Sequence, residues 1–343
     1  MAANQRYSRR WATKQFVAGG TDVIDLPLGF DIESLLISLQ GTVTLTAAAT
    51  GVRLEGLGKL IKRANIMLDG KSIYTTTGDF LTHGNFAREG GVIKTNPGIG
   101  IAANACKISG LLDFAHIGGY RAADSNLKTL GARQLQLHLT YGTLADLYTG
   151  APVGTFALNL SVAVRETKEL KEDSPYPAIQ RVAKLIDKTY LAAQEDRIPL
   201  DPNCLYRGVM IRCEQLGELS TLVLNRAKIL FGADGVIDLP ISDITDFNSV
   251  DLGFTLTPGF YWIDFAPAAS NLAKVSDMLD TYNRADVFLV LDVNGAATNK
   301  VQIQPHQFEW IQYQSAGNDD YNKKDAVNAV SAVKRVGLFG RRR

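Results

Sequence analysis

Cysteine is scarce in this sequence, which holds three cysteines in 343 residues: Cys106, Cys204 and Cys213. No two of them form a CxxC pair and three cannot all be joined, so the sequence does not encode a disulfide framework. It also lacks an apolar run of the roughly 18 residues that a membrane-spanning helix needs. The first residues carry no apolar segment of the kind found in signal peptides. We therefore expect the protein to be made in the cytoplasm, under reducing conditions.

Histidine is also scarce, and the sequence has four: His83, His116, His138 and His306. None stands in the HxH or HExxH spacing of a metal site. The glycine-rich residues 98–103 follow a loop and open no helix, so they do not match a dinucleotide fingerprint, and no GxxxxGK[ST] motif occurs. The polar residues 318–322 lack the spacing and the closing glutamate of a calcium loop. We expect no catalytic residue, no cofactor and no metal ion, and hence a protein that is not an enzyme.

Net charge is nearly absent as well, because 36 lysines and arginines stand against 35 aspartates and glutamates. This balance predicts no sequence-specific nucleic-acid partner. The two ends are nevertheless basic, and we interpret residues 1–18 as a basic arm and residues 314–343 as a basic tail. Their candidates for contact with a membrane or a neighbouring molecule are Arg6, Arg9, Arg10, Trp11, Lys14, Lys334, Arg335, Arg341, Arg342 and Arg343.

Several interpretations of these basic ends stay open. The arm can be a frayed terminus, or an anchor on a neighbour or on an anionic membrane, where each positive charge contributes about 1 kcal/mol. Contact with nucleic acid or with acidic patches on neighbouring molecules is the competing interpretation. The sequence alone does not separate these alternatives.

Short alternating segments dominate the middle of the chain. Apolar and polar residues alternate along residues 34–48, 133–141 and 155–164, which is the period of a half-buried strand. About eight such segments occupy residues 19–165 without regular helices between them, a pattern typical of an antiparallel sandwich. With 343 residues, 46% of them hydrophobic, the chain is large enough for two globular domains.

A hairpin signal at residues 59–74 is repeated at residues 223–237, where the second copy has about two extra residues before its turn. Asp-Gly between apolar segments favours a tight turn, because both residues tolerate positive φ. The matching dipeptides are Arg63-Ala64 with Arg226-Ala227, and Asp69-Gly70 with Asp234-Gly235. One such match would be weak evidence of duplication, but the order of the surrounding segments repeats as well.

Short helices are predicted after each hairpin, at residues 79–88 and 241–247, and the strand pattern restarts over residues 189–313. Residues 166–188, between the two units, are charged and end in apolar residues at helical spacing, so we interpret them as a helical linker. A further helix is predicted at residues 268–282. The repeated order predicts an all-β protein of two tandem eight-stranded antiparallel jelly-roll sandwiches with short helices in the loops.

This arrangement resembles the double jelly-roll major capsid proteins of icosahedral viruses with an internal membrane, especially those of membrane-containing bacteriophages. The resemblance is carried by the Asp69-Gly70 hairpin, its Asp234-Gly235 counterpart, the tandem units, the linker and the basic ends, and it spans nearly the whole chain. It implies a structural protein that is made in the host cytoplasm. It further implies assembly as pseudo-hexagonal trimers into the icosahedral shell of a virion.

The resemblance also implies partners. The chain would bind other copies of itself, penton and minor capsid proteins, and an internal lipid membrane. Its terminal arms would face inward or join neighbouring trimers. Loops at residues 90–100, 113–131 and 266–282 would form small towers on the outside.

A second interpretation is a carbohydrate-binding or spike-type protein built on the same two sandwiches. Aromatic residues predicted in loops, such as Tyr120, Tyr148 and Tyr261, would then stack on sugar rings. A double-cupin enzyme is disfavoured, because it would need clustered histidines and a glutamate inside each sandwich, and the second unit has only His306.

Overall fold

The computed structural model describes residues 5–89, 93–114, 125–129, 131–168, 179–232, 234–265, 278–282, 284, 286–295 and 298–310. In the first half the elements are β1 (Gln5–Gln15), β2 (Thr21–Asp25), β3 (Asp31–Ala47), β4 (Gly51–Val52), α1 (Gly56–Lys59), β5 (Ile61–Leu68), β6 (Lys71–Thr76), α2 (Gly78–Glu89), β7 (Ile93–Thr95), β8 (Ala103–Asp113), β9 (Leu135–Tyr141), α3 (Leu144–Leu147), β10 (Tyr148–Thr149) and β11 (Val153–Lys168).

In the second half the elements are β12 (Ile179–Val182), β13 (Ile186–Tyr190), β14 (Gln194–Pro199), β15 (Cys204–Gln215), β16 (Glu218–Leu219), β17 (Leu224–Phe231), β18 (Asp234–Pro240), α4 (Ile241–Leu252), β19 (Phe260–Asp264), β20 (Leu279–Asp280), β21 (Val287–Val293) and β22 (Asn299–Trp310).

Two antiparallel sheets enclose the core of the first half. One has the strand order β1-β11-β3-β8-β7 and the other has the order β2-β9-β5-β6. β4 and β10 form a separate short pair, and β7 is a short addition at a sheet edge. The remaining eight strands are distributed between the two sheets in the order of a jelly roll.

The second half repeats this order. β12 and β13 both pair with β22 and together take the position of β1, and the sheet continues through β15 to β19. The opposing sheet has the order β14-β21-β17-β18. The all-β prediction of two tandem antiparallel jelly rolls is therefore confirmed.

Each sandwich has its own apolar core, built by alternation along the strands. β9 is the clearest case, because Leu135, Leu137, Leu139 and Tyr141 are buried while the residues between them are half-buried. Each such side chain contributes roughly 1.5–3 kcal/mol on burial, so the period-two pattern that predicted these strands is also what holds them together.

The internal repeat is closest over residues 61–89 and 224–252, which correspond without a gap. β5 and β17 have the same sequence of buried and exposed positions, and each pairs with the equivalent strands of its own sheet. The helices that follow, α2 and α4, both have 12 residues. The two predicted short helices are thus confirmed. α2 is one residue longer than predicted at each end, and α4 continues from its predicted end at residue 247 to Leu252.

The first hairpin turn forms as predicted, and its second copy is shifted. Asp69 and Gly70 have φ of 49° and 80° and form the first turn. In the second copy Phe231 pairs with Asp234, so the turn lies between them and begins at Gly232, where φ is 57°. The prediction of a turn at Asp234-Gly235 was wrong, because both residues belong to β18. The second hairpin has no extra residues before its turn.

Most of the segment interpreted as a basic arm is a strand of the first sandwich. β1 pairs with β11 from Gln5, opposite Lys168, to Gln15, opposite Asn159, with an irregularity at Trp11. The sequence did not indicate this strand because an edge strand has one neighbour, and most of its described side chains stay exposed and polar.

The helical linker predicted at residues 166–188 was also wrong where the structure describes it. Its described residues end β11 and form β12 and most of β13, and the last two strands pair with β22. Their apolar residues fit a helical period because two short strands are separated by residues 183–185. The second sandwich thus begins inside the segment that we had interpreted as a linker.

The predicted loops and the later helix lie partly outside the described residues. Within residues 268–282, Leu279–Asp280 form β20, which pairs with β15, so the helix prediction was wrong there. Within the predicted loop at residues 90–100, Ile93–Thr95 form β7. The tail at residues 314–343 lies wholly outside the described chain.

Candidate assembly surfaces

The exposed edge of β1 carries the five N-terminal candidate residues, and three of them bind their own sandwich. Arg9 Nε lies 3.0 Å from Oε2 of the buried Glu166, and the Arg9 guanidinium lies 4.7 Å from the centre of the Trp11 ring. Trp11 Nε1 donates a hydrogen bond of 2.6 Å to the carbonyl of Asp25. Arg6 Nε lies 2.7 Å from Oε2 of Glu33. These contacts attach β1 to both sheets.

Arg10 and Lys14 differ from the other three candidates. Both are exposed on β1, and neither forms an ion pair with any residue that the structure describes. They remain available for an acidic partner. The C-terminal candidates, Lys334, Arg335, Arg341, Arg342 and Arg343, lie outside the described residues.

A second surface, the seam, lies between the two sandwiches. The edge strand β6 contacts the break between β12 and β13. There the Thr75 backbone N–H donates to the Ala183 carbonyl at 2.8 Å, and the Ala183 N–H donates to Ile73 at 3.2 Å. The Thr76 hydroxyl donates to Oε1 of Gln304 at 2.7 Å. The first sandwich thus adds its edge to the start of the second.

Apolar side chains fill the middle of the seam. Phe80 of α2 packs with Met210, Phe260 and Trp262 of the second sandwich. The Phe80 and Phe260 rings meet edge to face, with centroids 5.9 Å apart. Phe80 and these three side chains are buried where α2 covers the outer face of the β15–β19 pair. The seam therefore excludes water and joins the two sandwiches into one block.

Buried charges cross the same seam. Arg212 of β15 lies 2.6 Å from Asp79 of α2 and 2.5 Å from Glu214, and Lys59 lies 2.8 Å from Glu214. Burial raises the pKa of Asp79, but Arg212 and Thr77 outweigh it and hold that pKa below its ordinary value. Removing one partner of such a group is costly, so the network favours one relative placement of the sandwiches.

A small cavity of about 110 Å³ lies at the end of the seam, beside His83. The His83 ring stacks on Phe260 at 3.8 Å, and its Nδ1 donates to the Asp79 carbonyl at 2.9 Å. Burial lowers the pKa of His83 and outweighs the nearby Glu55 carboxylate. The imidazole is therefore neutral at pH 7 and acts as a packing and hydrogen-bonding group.

The other two described histidines, His138 and His306, lie in different sandwiches. His138 on β9 is half-buried beside Gln136, and His306 is buried with its Nδ1 3.1 Å from Nη2 of Arg181. His116 lies outside the described residues. In the part of the chain that the structure describes, no three His, Cys, Asp or Glu side chains form a metal-binding group.

The three cysteines are buried and free. Burial raises the pKa of the Cys106 thiol to about 11 and that of the Cys204 thiol to about 12, and it raises the pKa of Cys213 further. These thiols are protonated at neutral pH and pack as small apolar groups.

Two of the tyrosines considered for sugar stacking cannot take that role. Tyr148 and Tyr261 are buried in the first and second cores. Tyr120 lies outside the described residues.

Among the helices that the structure describes, none has the length and apolar character needed to cross a bilayer.

The sequence signal for the seam was a single charge inside an apolar run. Arg212 stands between Met210-Ile211 and Cys213, and all of these residues are buried. Such a run indicates a strand covered on both faces, which calls for a second layer outside the sheet. Asp79 and Arg212 were not among the predicted functional residues, although this run of apolar residues with one charge was visible in the sequence.

Comparison with known proteins gives matches in structure alone. No protein-family model and no curated protein matches the sequence. A chain in the atomic structure of Sulfolobus turreted icosahedral virus superposes with a TM-score of 0.72 at 15% identity, covering 96% of this chain and 98% of that chain. The chain has the double jelly-roll fold of viral major capsid proteins.

Other double jelly-roll structures agree. The major capsid protein of bacteriophage PM2 gives a TM-score of 0.62 at 14% identity, covering 90% of this chain and 99% of that chain. A chain in the PBCV-1 virus capsid gives 0.60 at 12% identity, covering 90% and 94%. The likeness includes both sandwiches, so the double jelly-roll unit as a whole, and not one sandwich alone, is the shared structure.

Proposed function

We propose that this protein is the major capsid protein of an icosahedral virus and that its function is to build the virion shell. The observation that carries the proposal is the joining of two jelly rolls by a buried seam, over a length that matches viral capsid proteins almost end to end. A rigid block of two similar sandwiches is well suited to building a shell, because each chain supplies two units of similar shape to a symmetric assembly.

Three chains would then form a pseudo-hexagonal trimer of six sandwiches, and trimers would tile the shell. Contacts between trimers would be individually modest, since many weak contacts add while errors stay reversible. The working residues would be spread over edges and ends, and the protein would have no catalytic role.

The basic ends would contact neighbouring capsomers or an internal membrane. On β1 the available cations are Arg10 and Lys14, and the tail contributes its candidate residues Lys334, Arg335, Arg341, Arg342 and Arg343. Penton and minor capsid proteins would complete the shell, and the chain would be made in the host cytoplasm. Several charges at about 1 kcal/mol each would give reversible adhesion to an anionic bilayer.

Electron microscopy of the purified full chain tests the capsid role. We expect six-lobed particles of uniform size, and closed shells or flat lattices at high protein concentration. Isolated two-lobed particles at every concentration would overturn the proposal.

The membrane contact is tested separately by flotation with anionic vesicles. Binding should weaken at high salt because surface charges are screened, and equal binding to neutral vesicles would contradict the role of the basic ends.

A further inference from the structure

One end of the molecule is formed by loops of both sandwiches, and we call it the loop end. Its loops are residues 16–20, 48–60, 96–102 and 142–152 in the first sandwich, and residues 191–193, 216–223, 253–259 and 294–298 in the second. The two sets meet across the seam, where Lys59 Nζ donates to the Gly217 carbonyl at 3.1 Å and Arg53 pairs with Glu218. They therefore form one continuous surface.

The loop end exposes large aliphatic side chains. In the first sandwich, exposed fractions of 44% to 68% are found for Val17, Leu54, Ile99 and Ile101. In the second sandwich, fractions of 65% to 81% are found for Leu191, Leu216 and Leu222. The other exposed residues that the structure describes in these loops are alanine, glycine, threonine and proline, with one asparagine. Adjoining exposed apolar groups of this kind mark an interaction site.

Charge is missing from the exposed part of the loop end. Although 21% of the chain is charged, no exposed residue that the structure describes in these loops is charged or aromatic. The charged residues of these loops are buried or half-buried, and each has an ion pair: Arg53 with Glu218, Lys59 with Glu214, Glu55 with Lys94, and Asp146 with Lys62. The surface that remains is neutral and apolar.

The opposite end of the molecule has ordinary polar loops. Its exposed residues include Asp69, Lys71, Arg133, Arg284 and Asp286. β1 begins at this end, with Gln5 opposite Lys168, and β22 reaches it at Trp310, opposite Ile179. The apolar character is thus specific to the loop end, and the basic tail follows from the charged end.

A lipid surface fits the loop end better than a protein partner does. Protein interfaces concentrate their binding energy in tyrosine, tryptophan and arginine and carry about ten direct hydrogen bonds. The described loops expose none of these three residue types. Aliphatic side chains on separate loops can enter a bilayer one by one, because a fluid surface adapts to their spacing. With no exposed charge beside them, they enter without the cost of removing a charge from water.

We propose that the loop end docks on a zwitterionic lipid surface through its exposed aliphatic side chains. These side chains would lie at the boundary between headgroups and acyl chains. The inference goes beyond the proposed function: in a shell whose basic ends face inward, the loop end faces outward and would attach the particle to a membrane outside it. Many copies on one particle would add their weak contacts. Binding by the single chain does not require the shell.

Flotation of the purified full chain with phosphatidylcholine vesicles tests the docking. The native chain should float equally well at low and high salt, because no charge pair is screened. The double variant with Ile101→Asp and Leu216→Asp should bind at least about tenfold more weakly, since it places two charges in an apolar contact. The matched double variant with Leu28→Asp and Tyr282→Asp, at two sites of the charged end that are each 41% exposed, should bind like the native chain.

A polarity-sensitive dye shows which end meets the vesicle without adding charge. The three native thiols are buried, so the dye attaches to an introduced cysteine. Dye on Ala18→Cys, in the loop end, should shift its emission to the blue when phosphatidylcholine vesicles are added. Dye on Ser72→Cys, at the charged end, should not shift.

Failure of this proposal is distinguishable from failure of the capsid role. No flotation of the native chain, equal flotation of the two double variants, or no shift at Ala18→Cys would overturn the lipid contact. The capsid role would still stand on the particle images. Self-association that is abolished by Ile101→Asp and Leu216→Asp, without flotation of the native chain, would make the loop end a protein contact and would also overturn the lipid proposal.

Discussion

Asp79 carries a charge into the seam, where the two sandwiches exclude water. It is 2% exposed, and its carboxylate lies 2.6 Å from Nε of Arg212. Burial raises its pKa, yet Arg212 and Thr77 outweigh burial and lower the pKa below its ordinary value. The charged form of Asp79 is therefore more stable in the folded protein than in the unfolded chain, and its ionisation contributes to folding.

We expect Asp79→Asn to lower the free energy of unfolding by about 3 kcal/mol at neutral pH, because Arg212 loses a buried partner. In the native protein this contribution is present above the unfolded-state pKa and is lost as the pH falls through the lowered folded-state pKa. Thermal unfolding measured from neutral to acidic pH should show a loss of stability in acid that is smaller in the variant.

The matched control for this experiment is Asp243→Asn, which changes an exposed carboxyl group on α4. It should alter stability by no more than about 0.5 kcal/mol. An Asp79→Asn protein that is as stable as the native one at neutral pH would show that the ion pair does not hold the seam.

Two glycines that looked equivalent in the sequence should respond differently to substitution. Gly70 has a φ of +80° with open space around it, so Gly70→Ala should cost about 1 kcal/mol through backbone strain alone. Gly235 lies in β18 without positive φ, and a Cβ there would meet Leu230 at 4.0 Å, so Gly235→Ala should be tolerated. Chemical denaturation of the two variants compares them directly, and equal losses would contradict the shifted turn.

For single residues, the predictions that were confirmed depend only on residues adjacent in the sequence. The Asp69-Gly70 turn depends on the conformational freedom of two adjacent residues, and the sequence shows both. The second turn depends on the register between β17 and β18, which places Gly232 at the turn instead of Gly235. The contact of Asp79 with Arg212 joins distant parts of the chain, so no local pattern could reveal it.

Among the elements, β1 makes the first residues of the chain part of the first sandwich. Removing residues 1–16 deletes a sheet strand and the core residue Phe16, and so should destabilise the fold by about 3 kcal/mol or more. It should also expose the edge of β11 and promote aggregation. The melting temperature and solubility of the truncated chain measure both effects.

A control removes charge and keeps the strand. The double variant with Arg10→Ala and Lys14→Ala changes two exposed side chains without ion pairs in the described chain, so its melting temperature should stay close to the native value. If the truncated protein were as stable as this control, β1 would be a dispensable arm, as the sequence first indicated.

Elements were predictable where burial imposed a period. β9 alternates strictly because one face lies on the core and the other does not. β1 and the β12–β13 pair are first strands at sheet edges, and their partners β11 and β22 come more than a hundred residues later in the chain. With most of β1 exposed and β12–β13 broken by residues 183–185, neither segment has a regular strand period.

For the whole molecule, the repeat predicted two similar units but not how they are joined. Their relative placement is fixed by the seam, through the Phe80 cluster and the Arg212 network. The seam also explains why equivalent residues differ in exposure. The first residues of α2, 78–83, are buried in the seam, whereas Ser242, Asp243 and Asp246 of α4 are exposed to solvent. The equivalent edge of the second sandwich is uncovered within one chain, and the proposed self-assembly would cover it.

The solution mass of the purified full chain, measured by light scattering on a sizing column, tests the proposed self-assembly most directly. One chain has a mass of 37.3 kDa, and a ring of three would have a mass of about 112 kDa. We expect that mass, or larger shells built from it, over a wide range of protein concentration. A single peak at the mass of one chain, stable on concentration, would contradict the account of this protein as a capsid subunit.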